Sequence, residues 1–302
     1  MRITATLFLV AMATRLGGQT AASPTTAVGA VHGYVSVTGG RLYYESAGAG
    51  SPVVFINGAN LDARLWDAQF AALAATHRVI RYDERGFGRS SPADVPYAAA
   101  EDLELLLDSL HITRASLVGL SLGGRIALDF ALDHPSEVDR LVLVAPGMSG
   151  WRFSVGDTSW APAWRSAKAR GDSVGMASAW LGSAWMKPAM EQPRLRPLLR
   201  GLIIASASYW MGLVRHGDTE RAADRPALGR TQELRACTLV VVGSRDVADI
   251  LHIADTLIAT IPHARRVTLD GVGHVVNLED ADHFTPLLAD FLRATPSNER
   301  CN

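Results

Sequence analysis

The stretch "LVGLSLGGRIALDF", residues 117–130, decides the fold, because it joins an apolar strand pattern to an amphipathic helix pattern through a glycine-rich turn. The turn holds Gly119, Ser121, Gly123 and Gly124. Glycines permit a tight turn and close contact between a helix and a sheet. The turn also matches G-x-S-x-G, in which a sharp strand-to-helix corner exposes the serine hydroxyl. The stretch therefore predicts an α/β protein with Ser121 as a candidate nucleophile.

Strand and helix patterns alternate on both sides of this stretch. Apolar and β-branched runs predict seven strands, at "RLYYESAG", "SPVVFING", "HRVIRYDERG", "RASLVGL", "DRLVLVAPG", "CTLVVVGSRD" and "ARRVTLDG". Helical patterns cover "AAAEDLELLLDSLHI", "LGGRIALDFALDHP", "ADILHIADTLIATIP" and "EDADHFTPLLADFLRA". Solidly apolar strands between helices predict a doubly wound, mostly parallel sheet with helices on both faces.

The alternation is interrupted between Gly147 and about Arg235. The interval 147–225 reads as short helices broken by proline and glycine, and it carries most of the tryptophans: Trp151, Trp160, Trp164, Trp180, Trp185 and Trp210. We interpret it as a helical cap inserted after the fifth or sixth strand. The α/β core is then made of residues 23–146 and 226–302.

The N-terminus has the three-part pattern of an export signal. "MRITATLFLVAMA" places Arg2 before about ten apolar residues, the length of a signal-peptide core and too short for a membrane span. Small residues in "QTAAS" favour cleavage after Ala22, so residues 1–22 are predicted to be a signal peptide and residues 23–32 a polar linker. The mature protein is then exported, periplasmic or secreted, without stable membrane insertion. The alternative is a buried N-terminal helix on a cytoplasmic protein.

Composition and charge exclude several classes of function. The 302 residues are 48% hydrophobic and 20% charged, as in ordinary globular proteins. The net charge is −1 and no long basic run exists, so no nucleic-acid partner is expected. Cys237 and Cys301 are the only cysteines, and either a disulfide between them or two free thiols fits the sequence. No CxxC or His/Cys cluster has metal-ligand spacing, so no metal is predicted.

The loop "YDERGFGRSS" does not predict a cofactor. It looks like a dinucleotide loop, but Ser91 stands where the third glycine would be, and no βαβ phosphate turn opens from it. No P-loop is present either. We interpret the loop as structural, with Asp83 and Arg85 hydrogen-bonded to backbone, and expect no cofactor.

A serine nucleophile needs a base and an acid that orients the base. On a sheet of this kind the acid and then the histidine follow the serine along the chain. Asp246 comes directly after a late apolar strand, and His274 lies in a glycine-rich loop after the last strand. Both fall at the carboxyl edge of the parallel strands, where Ser121 lies. Asp249 is the alternative acid, unless it caps a helix that starts at Ile250.

Other histidines are poorer candidates for the base, because they fall at the ends of elements, within helices or in the cap. They are His77, His111, His134, His216, His252 and His283. An acyl-transfer site also needs N–H donors for the oxyanion. One is expected from the backbone of Leu122, and the other from Ala59 in "NGAN", where Gly58 permits close approach. As an alternative, "NG" is simply a turn signal.

Taken together, these segments resemble the α/β-hydrolase fold family over nearly the whole mature chain. "NGAN" stands where the family has His-Gly, "YDERGFGRS" resembles its Asp-x-Arg-Gly-x-Gly-x-Ser loop, and "GLSLGG" resembles its nucleophile elbow. "GSRDVAD" and "GVGHVVNLED" resemble its acid and histidine segments. The resemblance implies a Ser121–His274–Asp246 triad with the amides of Ala59 and Leu122 as the oxyanion hole. Asn57 departs from the family pattern, since it replaces the usual histidine.

The resemblance is greatest to esterases, enol-lactonases and C–C hydrolases with a lid. A serine at the elbow argues against the haloalkane dehalogenases and epoxide hydrolases, which use a carboxylate nucleophile. The leading hypothesis is a serine hydrolase of small-molecule carboxylic esters or lactones, and the tryptophans of the cap suggest an apolar or aromatic pocket. Two alternatives are a hydrolase of C–C bonds in diketone-like substrates and a non-catalytic ligand-binding protein. The sequence does not give the oligomeric state.

Overall fold

One sheet of eight strands organises the computed structural model, which describes residues 29–154 and 159–293. Its strands are β1 (Val31–Val37), β2 (Gly40–Ala47), β3 (Pro52–Ile56), β4 (Arg78–Tyr82), β5 (Ala115–Leu120), β6 (Val138–Val144), β7 (Cys237–Gly243) and β8 (Ala264–Leu269). The strand order is β1-β2-β4-β3-β5-β6-β7-β8. Strand β2 pairs antiparallel with β1 and β4, and every other pair is parallel. The predicted doubly wound, mostly parallel sheet is confirmed.

Helices cover both faces of this sheet. The core helices are α1 (Asp67–Leu73), α2 (Ala99–Ser109), α3 (Leu122–Asp133), α9 (Ala248–Thr260), α10 (Val276–Glu279) and α11 (Ala281–Arg293). Helix α2 packs against α3, and α1 packs against α11. The crossovers β3-α1-β4 and β5-α3-β6 run in opposite directions along the sheet, so right-handed connections place α1 and α3 on opposite faces. Residues of β5 are consequently buried along the whole strand.

Strand β1 was not predicted from the sequence. The expected polar linker, residues 23–32, overlaps its first two residues, so that part of the prediction is wrong. The strand forms an antiparallel hairpin with β2 at the edge of the sheet, and within it only Val35 and Val37 are buried. An edge strand with so little buried surface lacks the apolar run by which the other strands were recognised.

The segment that connects β6 to β7 carries five helices, and we call this whole segment the cap. Its helices are α4 (Ala161–Ala169), α5 (Ser173–Leu181), α6 (Lys187–Glu191), α7 (Arg196–Ala205) and α8 (Ala207–His216). All five lie inside the interval 147–225 that the sequence assigns to an insertion. Helix α5 packs against α4, α7 and α8. Among the described residues no single helix is long and apolar enough to cross a membrane, although the bent pair Arg196–Ala205 and Tyr209–His216 together has that length and composition.

The loop after β4 is structural, but one of its predicted contacts is different. Asp83 accepts hydrogen bonds from the backbone N–H groups of Ala63, at 2.7 Å, and Arg89, at 2.8 Å, as expected. Arg85 was expected to bond backbone, which is wrong. Its fully buried guanidinium donates to both carboxylate oxygens of Asp102, at 2.9 and 2.7 Å. A buried charge requires a counter-charge, and a bidentate carboxylate supplies one.

Some predictions fall on residues outside the described ranges. The signal peptide, residues 1–22, and Cys301 lie there, so export and the pairing of Cys237 with Cys301 stay predictions. Within residues 29–154 and 159–293, no three or more His, Cys, Asp or Glu side chains are grouped in a way that could hold a metal ion.

Candidate active site

Ser121 occupies a strained corner between β5 and α3. Its φ and ψ are 54° and −108°, a region that costs a residue with a side chain about 1–3 kcal/mol. Two backbone hydrogen bonds hold the corner: the N–H of Ser121 donates to Val144, and its carbonyl accepts from Gly147, both at 2.9 Å. The turn is therefore fixed to the end of β6 as well as to its own strand.

The glycines of the turn have a packing role that other residues could not fill. A Cβ on Gly119 would lie 2.2 Å from the carbonyl oxygen of Gly123. A Cβ on Gly123 would lie 2.4 Å from the carbonyl oxygen of Ile56, at the end of β3. A Cβ on Gly124 would lie 2.9 Å from the Cβ of Pro146. The close contact between α3 and the sheet is thus the same feature that creates the corner at Ser121.

His274 and Asp246 form a buried pair. Nδ1 of His274 lies 3.0 Å from both Oδ1 and Oδ2 of Asp246, and the side chains are 5% and 0% exposed. The N–H of Val247 also donates to Oδ1 of Asp246, at 2.7 Å. A carboxylate on Nδ1 fixes the tautomer in which Nε2 carries the lone pair. The arrangement suits His274 to accept a proton at Nε2.

The sheet places this pair and Ser121 at the same edge. Ser121 follows β5, Asp246 follows β7 and His274 follows β8, and these strands are parallel. Among the described residues no hydrogen bond joins Ser121 to His274 or Asp246. Hydrogen bonds between catalytic groups are often long without substrate and tighten in the complex.

Asp249, the alternative acid, contacts the cap instead of His274. Its Oδ1 accepts from Nε1 of Trp151 at 3.2 Å, and its Oδ2 accepts from the N–H and hydroxyl of Ser154 at 3.0 and 2.6 Å. The Ser154 hydroxyl lowers the pKa of Asp249. The expectation that Asp249 is the N-cap of a helix starting at Ile250 is wrong, because α9 begins at Ala248. The carboxylate of Asp249 instead accepts hydrogen bonds from Trp151 and Ser154.

A buried glutamate supports the predicted oxyanion loop after β3. The N–H of Asn57 donates to Oε1 of Glu84 at 2.6 Å, and its Nδ2 donates to the carbonyl of Tyr82 at 2.7 Å and to Oε2 of Glu84 at 3.2 Å. Burial raises the pKa of Glu84 well above its ordinary value. Asn57, which departs from the family pattern, is therefore paired with a buried carboxyl group.

The two predicted oxyanion donors are both available. Neither the N–H of Ala59 nor that of Leu122 donates a hydrogen bond to another residue in the described ranges. Both residues line one cavity of about 130 Å³. It lies at the carboxyl ends of β3 and β5, where neighbouring connections run in opposite directions and ligands bind in open α/β sheets.

Glu279 holds the loop that carries His274. Its Oε2 accepts from the N–H of Gly273 at 2.8 Å, and its Oε1 accepts from the N–H of Val275 at 3.1 Å, so it bonds the backbone on both sides of the histidine. Its own carbonyl accepts from Arg194 of the cap at 2.8 Å. Burial raises the pKa of Glu279.

Replacing Glu279 with glutamine is expected to lower both the free energy of unfolding and kcat. The Nε2 of a glutamine would face one of the two N–H donors, leaving a buried donor unpaired at a cost of about 1–3 kcal/mol. Urea unfolding and steady-state kinetics on any substrate that the protein turns over measure the two effects. Asp282→Asn, three residues along on an exposed position of α11, is the matched control. Equal behaviour of the two variants would contradict a positioning role for Glu279.

Aromatic side chains of the cap form a row that ends on His274. The ring of Trp185 meets that of His274 edge to face, with centroids 4.8 Å apart. Trp180 lies 6.0 Å from Trp185, and Trp160 lies 5.3 Å from Trp180. The three indoles are half-buried. They provide an apolar wall beside the imidazole.

Sequence reasoning missed Glu84 and Glu279, and it named Trp185 only as one of the cap tryptophans. Glu84 bonds Asn57 and Trp185 meets His274, and both contacts join segments that are distant in the chain. The glutamate five residues after His274 in "HVVNLE" was the available hint, since a carboxyl group can reach back to free N–H groups at the start of a short helix.

A sequence model described as the alpha/beta hydrolase family matches residues 53–285, which is most of the chain and includes Ser121, Asp246 and His274. The chain belongs to the alpha/beta hydrolase family. It is a hydrolase, and the comparisons do not favour the non-catalytic binding protein considered from the sequence.

Relatives of this alpha/beta hydrolase have hydrolytic activities in their names. A protein of Klebsiella pneumoniae (strain 342) named putative carbamate hydrolase is 32% identical over 81% of this chain and 92% of its own. The enol-lactonase from Burkholderia xenovorans LB400 is 27% identical, with a TM-score of 0.71, over 87% of this chain and 100% of its own. Est816, described as an N-acyl homoserine lactone degrading enzyme, is 27% identical, with a TM-score of 0.70, over 86% of this chain and 100% of its own.

Proposed function

We propose that this alpha/beta hydrolase cleaves carboxylic esters or lactones with Ser121 as nucleophile, His274 as base and Asp246 as the acid that orients His274. The observation that carries the proposal is the buried His274–Asp246 pair, with Nδ1 3.0 Å from both carboxylate oxygens, at the same sheet edge as the strained turn of Ser121. Relatives that act on lactones, by their printed names, support this substrate class.

The proposed reaction has two halves. Oγ of Ser121 attacks the carbonyl carbon while Nε2 of His274 takes the hydroxyl proton. The N–H groups of Ala59 and Leu122 bind the oxyanion, each worth about 3 kcal/mol. His274 then gives its proton to the leaving oxygen, and an acyl-Ser121 ester remains. In the second half water attacks the acyl carbon while His274 takes a proton from it, and His274 then gives this proton to Oγ of Ser121 as the acyl–oxygen bond breaks and the acid leaves. The cycle needs no cofactor.

A screen with matched blanks tests this proposal. The purified protein and its Ser121→Ala variant are assayed on activated esters, lactones, aryl carbamates and vinylogous diketones. We expect turnover of esters or lactones by the unaltered protein and a loss of at least 10³-fold in Ser121→Ala. Turnover that is absent or unaffected by the substitution contradicts the proposal.

The products distinguish this reaction from the C–C hydrolysis that the same three residues support. Ester cleavage yields an acid and an alcohol, whereas C–C cleavage yields an acid and a ketone or enol. Preferred turnover of diketones or carbamates would replace esters and lactones as the substrate class while leaving the roles of Ser121, His274 and Asp246.

Export of the mature enzyme is the second part of the proposal. It rests on the signal-peptide pattern of residues 1–22. N-terminal sequencing of the protein recovered from expressing cells is expected to begin after Ala22. A start at Met1 contradicts export.

A further inference from the structure

The cavity that Ala59 and Leu122 line has a definite size. It measures about 130 Å³, and its apolar walls come from Phe87, from Leu122 and from Tyr209 and Leu213 of cap helix α8. A protein cavity of about 150 Å³ lined by apolar side chains accommodates one benzene ring. The cavity therefore has room for one ring or for a chain of about four to six carbons.

The charged side chains of the cavity are acidic, and its other polar side chains are the uncharged Tyr97, Tyr209 and Thr219. Asp218 and Glu220 contribute carboxylates, and none of the described residues that line it is Arg, Lys or His. The Glu220 carboxylate is paired with Arg125, so this arginine is not free to bind an anionic ligand. A carboxylate placed in the cavity would lose its hydration without a cationic partner among the lining residues. The cavity consequently suits uncharged groups.

The position of His274 fixes which half of a substrate this cavity receives. The leaving oxygen takes its proton from Nε2 of His274, so the leaving group must lie beside the imidazole. Trp185 contacts that imidazole, and Trp180 extends the apolar wall away from it. The cavity lies on the other side of the nucleophile, over β4, β3 and β5, whereas His274 follows β8 at the far edge of the sheet.

We propose, on the basis of the function proposed above, that the cavity of Ala59, Leu122, Tyr209 and Leu213 binds the acyl group of the substrate and that the wall of Trp180 and Trp185 binds the leaving group. The preferred substrates are then esters of short, uncharged acids with bulky apolar or aromatic alcohols. Leu213 sets the length of the acyl group, and Trp180 sets the preference for the alcohol.

Two substrate series measure the two sites separately. The acyl series holds p-nitrophenol constant and runs from acetate through butyrate, hexanoate and octanoate to dodecanoate. We expect kcat/KM to be greatest at butyrate or hexanoate and to fall at least tenfold by dodecanoate. The p-nitrophenyl monoester of adipic acid, which adds a terminal carboxylate, is expected to fall at least tenfold below the hexanoate. The alcohol series holds acetate constant and compares methyl, benzyl and naphthyl esters.

Matched variants then assign each site. Leu213→Ala is expected to raise the octanoate-to-butyrate ratio about tenfold, and Leu213→Trp to shift the optimum to acetate, with the alcohol ratios unchanged. Trp180→Leu is expected to lower the naphthyl-to-methyl ratio and to leave the acyl ratios unchanged. Circular dichroism and thermal melting confirm that each variant is folded. Leu213→Ala and Leu213→Trp change the size of the side chain in opposite directions, so if one variant does not fold the other still tests the assignment.

Several results would overturn the assignment. If the Leu213 variants change the alcohol ratios, the substrate lies in the opposite orientation, and if they change neither ratio, the cavity does not bind substrate. Equal turnover of hexanoate and the adipate monoester would contradict the preference for uncharged acids. If turnover depends on Ser121 and one of these results is found, only the assignment of the two sites is overturned. If no turnover depends on Ser121, the proposed function is overturned as well.

Discussion

Replacing Asp246 with asparagine is expected to lower kcat by about 10⁴-fold with little change in KM. The carboxylate of Asp246 accepts from Nδ1 of His274 and from the N–H of Val247. An asparagine presents an N–H to one of these donors, so the imidazole loses the tautomer with a free Nε2 and the imidazolium loses its counter-charge. Asp246 contacts the Nδ1 side of the imidazole, opposite Nε2, so we expect substrate binding to be unchanged. Steady-state kinetics on the best ester of the screen measures the effect.

Asp249→Asn is the comparison that distinguishes the two candidate acids. The carboxylate of Asp249 contacts Trp151 and Ser154 of the cap, so we expect its replacement to lower kcat less than tenfold. A larger loss from Asp249→Asn than from Asp246→Asn would assign the acid to Asp249 and contradict the site described here. The sequence favours Asp246 with Asp249 as the alternative acid, and the contact of Asp246 with Nδ1 of His274 supports the same choice.

Replacing Gly123 with alanine is expected to destabilise the fold by about 3 kcal/mol and to remove most of the activity. The new Cβ would lie 2.4 Å from the carbonyl oxygen of Ile56 and 2.5 Å from that of Asn57, and backbone atoms on both sides have to move apart. The movement separates Leu122 from the oxyanion loop. Urea unfolding monitored by circular dichroism gives the stability, and ester turnover gives the activity.

Gly201→Ala is the matched control for that substitution. Gly201 lies on the exposed side of α7, and an added Cβ would meet no other atom within 4 Å. Alanine is the better helix former, so we expect a gain in stability of up to about 1 kcal/mol and unchanged turnover. A Gly123→Ala variant as stable and active as Gly201→Ala would show that the contact of the turn with β3 is not as tight as described.

The parallel core of the fold is readable from the sequence for a physical reason. Strands buried on both faces become continuous apolar runs, and β5 is buried throughout its length. β1 has no such apolar run, because only Val35 and Val37 are buried in it and most of its other residues are exposed. Where a residue is buried by a contact with a distant segment, no pattern in its own segment predicts that burial.

The candidate site also has residues that the sequence predicts and residues that it does not. Ser121, Asp246 and His274 could be predicted, because parallel strands bring the residues that follow them to one edge. The ion pair of Arg85 with Asp102 could not be predicted, because Asp102 lies in a helix that only the packing of the fold brings close to Arg85. Glu84 supports the oxyanion loop by a bond to the N–H of Asn57, a distant residue in the chain, and such a bond leaves no local pattern in the sequence. Glu279 supports the His274 loop by local bonds, and its position shortly after the histidine is the only local signal for them.

A fluorophosphonate probe tests the central claim most directly, because it forms a covalent bond with an activated serine and needs no knowledge of the natural substrate. The labelled protein is analysed by intact mass and by peptide mapping. We expect one adduct per chain, on the peptide that contains Ser121, with labelling lost in Ser121→Ala and slowed at least 10³-fold in His274→Ala. A folded protein that takes up no probe, or that is labelled equally well after Ser121→Ala, would contradict the assignment of Ser121 as the nucleophile.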